Sequence, residues 1–322
     1  MKNRSMAFDA ARALAALYIV GFHHVLDYSP LLKRHVDPDL CTAAKQGCLA
    51  FFFFFFCSAY LVSRRTEIGN ASDALRFWKR RCVRLLPLYL VALFSFSRPV
   101  WLTLLSAIGL NNFVPGIDGR NISTLWFVSQ LMLWYALYPF LRAVRRKSVL
   151  FATCLAIELV LWRGSGLWGW DHRLWWYFPL YAAGIFVADV PERRLSLASI
   201  PLGSAFAVLA VFGLLDAMPI ATAVCGCGLV FGAATVLSRA KWTLPFFGAV
   251  SYASMCAYFF HRKIFFRLIG GLVYWTGPKI QGQPVFLLWM YLLFLPAVFA
   301  SGWLVQRGYD TLVRRFARPK RE

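Results

Sequence analysis

The chain has 322 residues, of which 60% are hydrophobic, 17% aromatic and only 15% charged, and its mean hydropathy is +0.58. An ordinary soluble domain is charged at about a quarter of its positions, so this composition excludes one; it predicts an all-α, polytopic membrane bundle, a single domain over residues 1–322 with short basic tails at 1–7 and 307–322. The net charge of +21 is spread over many short loops rather than along one soluble face, which argues against a nucleic-acid partner and for membrane lipid.

Apolar runs place ten spans at 8–28, 44–63, 85–106, 124–141, 149–162, 174–189, 197–215, 220–237, 244–266 and 284–306, or eight if the short fifth and sixth do not cross. Lys and Arg concentrate in the loops that lie inside when the N-terminus is inside, so both termini are expected in the cytoplasm. Arg262, Lys263 and Arg267 break that pattern on the expected outer side of the ninth span. No cleavage site follows the first run, which is therefore read as a retained span.

Within that first span, RALAALYIVGFHH (12–24) carries titratable groups. On an α-helix Arg12 and His23 share a face about 16 Å apart. Arg12 has Asp9 three residues before it, which suggests a local ion pair. His23 has Asp27 four residues after it, a carboxylate able to accept one ring N–H and raise the basicity of the other nitrogen. That is a base with an orienter, although a satisfied core histidine fits the spacing equally. His24 points about 100° away and is expected to pack. In the second span FFFFFF (51–56) reads as packing, and Ser58 and Ala59 allow a neighbouring helix to come close.

At the mouth of the third span, RFWKRRCVRLLPLYL (76–90) holds five cations between Arg76 and Arg84. A positive-inside anchor is the plain reading. The sharper one is a polyanion site, since Arg81 and Arg84, three apart on one helix face, offer paired guanidinium forks of the geometry phosphate accepts, with Arg80 adjacent. RGSGLWGWDHR (163–173) suggests an irregular turn after the fifth span, whose Glu158 stands alone. His261, in the ninth span and on the same expected outer side as His23, is either a second polar wall or only a capping residue, and the structural role is the one expected. The eight cysteines show no paired spacing, so neither a metal site nor a disulfide framework is expected; only Cys41 and Cys48 stand as a pair to test for a bridge. The chain lacks a P-loop and a Gly-rich dinucleotide turn, and most of its 14 acids lie in loops, which leaves no carboxylate pair of glycosidase type.

Taken in order, these segments resemble the acyltransferase 3 family of membrane O-acyltransferases. FDAARALAALYIVGFHH is similar to its opening Asp-x-x-Arg with a His ten intervening residues after the Arg, here Asp9, Arg12 and His23. FFFFCSAYLV resembles its Phe-rich segment, with Ala59 and Tyr60 in place of the usual Gly and Phe. RFWKRRCVRLLPLYL resembles its Arg-x-x-Arg followed by Pro-x-Tyr, here Arg81, Arg84, Pro87 and Tyr89. LWFVSQLMLWYALYPFL and GAVSYASMCAYFFHRKIF resemble two later segments.

The resemblance implies a stand-alone enzyme of the inner membrane. It would move an acyl group, by default acetyl, from cytoplasmic acyl-CoA to a hydroxyl of an envelope carbohydrate such as exopolysaccharide, capsule or lipopolysaccharide, with polysaccharide-assembly proteins as partners. His23 and Arg12 would be catalytic, with Asp27 joined to them by its spacing from His23, and Arg81, Arg84, Arg80 and Tyr89 would hold the CoA. A transporter or flippase for a lipid-linked saccharide, and a non-catalytic scaffold, are the rival readings.

Overall fold

The computed structural model describes residues 5–35, 48–96, 99–115, 125–211 and 219–317, and among these no strand occurs. In chain order the helices are α1 (Met6–Tyr18), α2 (Pro30–His35), α3 (Cys48–Arg65), α4 (Ala71–Ser95), α5 (Val100–Ala107), α6 (Trp126–Ala143), α7 (Lys147–Trp168), α8 (Arg173–Phe186), α9 (Glu192–Val211), α10 (Pro219–Leu237), α11 (Leu244–Thr276), α12 (Pro284–Trp289) and α13 (Leu295–Ala317). Cys41 lies outside the described residues, and so does the bridge considered for it.

Three of the expected spans coincide with helices long and apolar enough to cross a membrane: Met6–Asp27, Lys147–Trp168 and Pro284–Arg315. Ten such spans are not reached among the described residues. The third expected window is interrupted, because α4 ends at Ser95 and α5 begins only after Pro99, and α8 has 14 residues, below the roughly 17 needed to cross.

The glycine-rich turn expected at 163–173 is largely helix. α7 continues through Arg163, Gly164, Ser165 and Gly166 to Trp168 and stops at Gly169, whose φ of 65° suits a residue without Cβ. Gly164 is explained by packing instead: a Cβ there would lie 2.0 Å from Cε3 of Trp170.

The chain forms two compact units. The first contains Met1–Ala50, Ser199–Met218 and Cys225–Glu322. In it α1 runs parallel to α11, with Asp9 beside Ser251 and His24 beside His261. α13 runs antiparallel to α11, joined by a bond from Tyr252 Oη to Asp310 Oδ2 (2.6 Å) and by the sequence Cys256, Gln306, Asp310. Gly302 permits this approach, since a Cβ on it would lie 2.6 Å from the backbone nitrogen of Ala257.

The second unit contains Phe51–Ala198 and Pro219–Val224. Phe51, Phe52, Phe53 and Phe55 are buried, and Phe51 and Phe55 pack on Phe127 and Tyr177. Ala59 meets α8 at Gly184, where an added Cβ would come within 2.8 Å of the Ala59 Cβ. α4 runs antiparallel to α6, with Trp78 Nε1 donating to the Tyr135 carbonyl (3.1 Å) and Tyr89 Oη to that of Leu125 (3.5 Å).

Candidate active site

In the first unit, Ser5 caps α1 by accepting from the Phe8 N–H at 3.2 Å. The α-helix then continues through the half-buried Arg12, and Asp9 reaches across to α11, accepting from Ser251 Oγ at 3.2 Å. Past Tyr18 the helix widens. Ile19–His23 is a π turn, closed by a bond from the His24 N–H to the Ile19 carbonyl at 3.0 Å, and a 3-10 turn succeeds it over Val25–Asp27. A π turn takes in one extra residue and re-aims the side chains beyond it. The three regular turns assumed between Arg12 and His23 are therefore not present.

That widening brings His24 against α11. Its ring lies 4.6 Å from that of His261 and 4.6 Å from that of His23. His24 and His261 are buried, whereas His23 is partly exposed. Asp27, aligned with His23 by the spacing, accepts from Arg262 Nη2 at 3.0 Å and stands 3.7 Å from Nδ1 of His24. Arg262 also approaches His24 Nδ1, at 3.4 Å, and His261 Nδ1 lies 2.7 Å from the Tyr258 carbonyl. Nε2 of His24 and Nε2 of His261 are buried without a hydrogen-bond partner among the described residues.

Sequence reasoning assigned His24 only a packing role and Arg262 only a place among outlying cations, neither a place in the site; His261, for which a polar wall or a cap was expected, lies inside the 33-residue α11. One signal did point to Arg262, since it is among the cations that broke the charge asymmetry. Among the described residues no three of His, Cys, Asp or Glu converge as metal ligands.

In the second unit, the arginine segment lies on α4, whose N-terminus carries a full capping box: Asn70 Oδ1 accepts from the Asp73 N–H at 3.0 Å, and Asp73 Oδ2 from the Asn70 N–H at 3.3 Å. Asp73 also pairs with Arg76. Arg81 stacks over two rings, with its guanidinium carbon 5.3 Å from the Phe77 centroid and 5.1 Å from that of Tyr135, and its Nε is buried without a hydrogen-bond partner among the described residues. Arg80 and Arg84 are exposed. Tyr89 stands about 12 Å further along the helix from Arg81; it is fully buried and donates to the Ser106 carbonyl at 3.2 Å.

The cluster of imidazoles and the arginine face are thus built by separate segments, both of which lie inside one match. The profile described as "Acyltransferase domain" of the acyltransferase 3 family covers residues 7–307. The chain belongs to the acyltransferase 3 family. No curated protein and no solved structure matches it. Membership makes it a membrane acyltransferase, and the apolar helices of the structure agree with that setting. In a member of this family, imidazoles and arginines inside or beside membrane helices carry more weight than they would in an unassigned bundle, because ionisable groups there are costly and tend to be functional.

Proposed function

We propose that the protein transfers an acyl group, acetyl by default, from acyl-CoA to a hydroxyl of an envelope carbohydrate, with both chain termini in the cytoplasm of an inner-membrane enzyme. The observation that carries this reading is the partly exposed His23 beside the His24, His261, Arg262 and Asp27 cluster. A carbohydrate hydroxyl is a weak nucleophile at neutral pH. A ring nitrogen of His23 takes its proton as the oxygen attacks the thioester carbonyl, the C–S bond breaks, and the proton leaves with the CoA thiolate. An alternative that uses the same atom makes His23 a transient acyl carrier. Arg12 guides the thioester or orients the imidazole indirectly, and Asp27 acts through Arg262 and His24 as a positioning residue.

The CoA phosphates are assigned to Arg81, Arg84 and Arg80. The chemistry of the set supports this. Two exposed guanidinium groups can turn toward a phosphate, and Arg81 is held rigid between two rings with an unused N–H. Tyr89, which the resemblance assigns to the same site, donates to backbone carbonyls, and the role proposed for it is to support α4 beneath the arginines.

The test is thiol release from acetyl-CoA by purified protein in nanodiscs, with and without an envelope polysaccharide extract. Release should depend on the extract and fall by about 10²–10⁴-fold in His23→Ala, the usual worth of a general base. Arg81→Ala/Arg84→Ala should raise the KM for acetyl-CoA. If the wild type binds the extract and consumes no acyl donor, the transporter reading replaces this one.

A further inference from the structure

The histidines on either side of the α1 and α11 contact have tautomers dictated by their partners, and the two are opposite. His261 Nδ1 is 2.7 Å from the Tyr258 carbonyl oxygen. A carbonyl only accepts, so Nδ1 carries the hydrogen, and in the neutral ring Nε2 is left with a lone pair. His24 Nδ1 is 3.4 Å from Arg262 Nη2. A guanidinium only donates, so this Nδ1 supplies the lone pair and Nε2 carries the hydrogen. Asp27, which would ask for the other tautomer of His24, is further away at 3.7 Å and is itself served by Arg262 at 3.0 Å.

The result is one N–H and one lone pair, on rings 4.6 Å apart, both buried and neither used by another described residue. Such orphans are costly in a dry interior and call for an explanation. The small group that donates and accepts at a single atom is a hydroxyl. An anion would meet the lone pair of His261, and a cation the N–H of His24. The partly exposed His23 has its ring 4.6 Å from that of His24.

We propose that His24 and His261 bind a second hydroxyl of the acceptor, neighbouring the hydroxyl that is acylated at His23, so that the enzyme selects a vicinal diol over a simple alcohol. This rests on the acyltransferase reading above. The second hydroxyl accepts from His24 Nε2–H and donates to His261 Nε2. It forms no covalent bond and keeps its proton. An acceptor lacking it leaves two buried groups unpaired, the situation in which a binding site rejects an analogue most strongly.

The experiment measures thiol release from acetyl-CoA with cyclohexane-1,2-diol, with cyclohexanol and with the polysaccharide extract. His261→Asn keeps an N–H for Tyr258 and removes Nε2. His24→Asn keeps an oxygen for Arg262 and removes the Nε2 hydrogen, whereas His24→Gln supplies an N–H at the depth of Nε2. The wild type should prefer the diol by about 10²-fold or more in kcat/KM, the effect of leaving two buried polar groups unpaired with the simple alcohol. Both asparagine variants should lose that preference and raise the KM for the extract at unchanged KM for acetyl-CoA, and His24→Gln should restore it.

A wild-type preference of no more than about twofold, the statistical factor for two hydroxyls, overturns the proposal, and so does an asparagine variant that keeps the preference. A structural water between the rings would give that second outcome, with a lowered melting temperature alone. If only the extract is acylated, an unchanged KM for it in both asparagine variants is equally decisive against the pair. Wild type that releases no thiol with any acceptor fails the acyltransferase reading, and this inference with it; an active wild type without diol preference fails this inference alone.

Discussion

Asp73 holds the N-terminus of α4 through bonds that its carboxylate accepts from the Gly69 and Asn70 N–H groups. Its pairing with Arg76, and then the N–H of Gly69 at 3.0 Å, holds its pKa below the usual carboxylate value. A depressed pKa means stability that is fully present above the unfolded value of about 4 and is lost as pH falls through the folded one. Amide protection over residues 69–76 should therefore be constant from pH 7 to 5 and drop at more acid pH, while Asp73→Ala should show the low protection already at pH 7. Hydrogen exchange read as protection factors checks both. The Arg81 and Arg84 spacing can be read directly from the sequence, because it rests on local helical geometry. His23 and His24 were less legible. Their directions were inferred from an ideal helix, and the π turn at Ile19–His23 is a tertiary choice that no residue in IVGFH announces.

At the scale of elements, the contact between α11 and α13 turns on one glycine. Replacing Gly302 by Ala would gain up to about 1 kcal/mol of helix propensity. It would also press a Cβ to 2.6 Å from the Ala257 nitrogen and 3.0 Å from the Ala253 oxygen. These are backbone atoms that cannot turn aside, and overpacking of this kind costs about 1–3 kcal/mol. Overpacking wins, so Gly302→Ala should lower the melting temperature. Gly308, on the same helix with nothing within 4 Å of an added Cβ, is the control, and Gly308→Ala should leave that temperature equal or higher. Composition marked these segments as helices, yet it did not distinguish a glycine that serves a turn from one that serves a close approach. Gly164 and Gly166 read as a turn for that reason, and the partner that explains Gly164, the Trp170 ring, is visible only once the chain is folded.

For the whole molecule, the imidazole cluster belongs to one compact unit and the arginine face to the other. On the proposed function the two should fail separately. His23→Ala should bind acetyl-CoA with wild-type affinity in calorimetry, whereas Arg81→Ala/Arg84→Ala should bind it about tenfold or more weakly, the worth of one or two charge-assisted hydrogen bonds. Equal loss in both variants would mean that the division of roles is wrong. The all-helical class and the family were legible from composition and from ordered motifs, because both are carried by many residues at once. The number of crossings was not, since windows of apolar residues do not show where a helix breaks, as between Ser95 and Val100.

The π turn in the first span also sets the phase of the chain beyond it. A helix that closes a bond from residue 24 to residue 19 has, in effect, absorbed one letter without lengthening its path. Deleting Val20 would return the segment to ordinary phase. Every later side chain would then keep its present bearing relative to α11, and His24 would stay where regular helical phase would have put His23. Two consecutive histidines thus act as alternative spellings of one position, and the extra letter decides which of them is buried against α11 and which stays partly exposed.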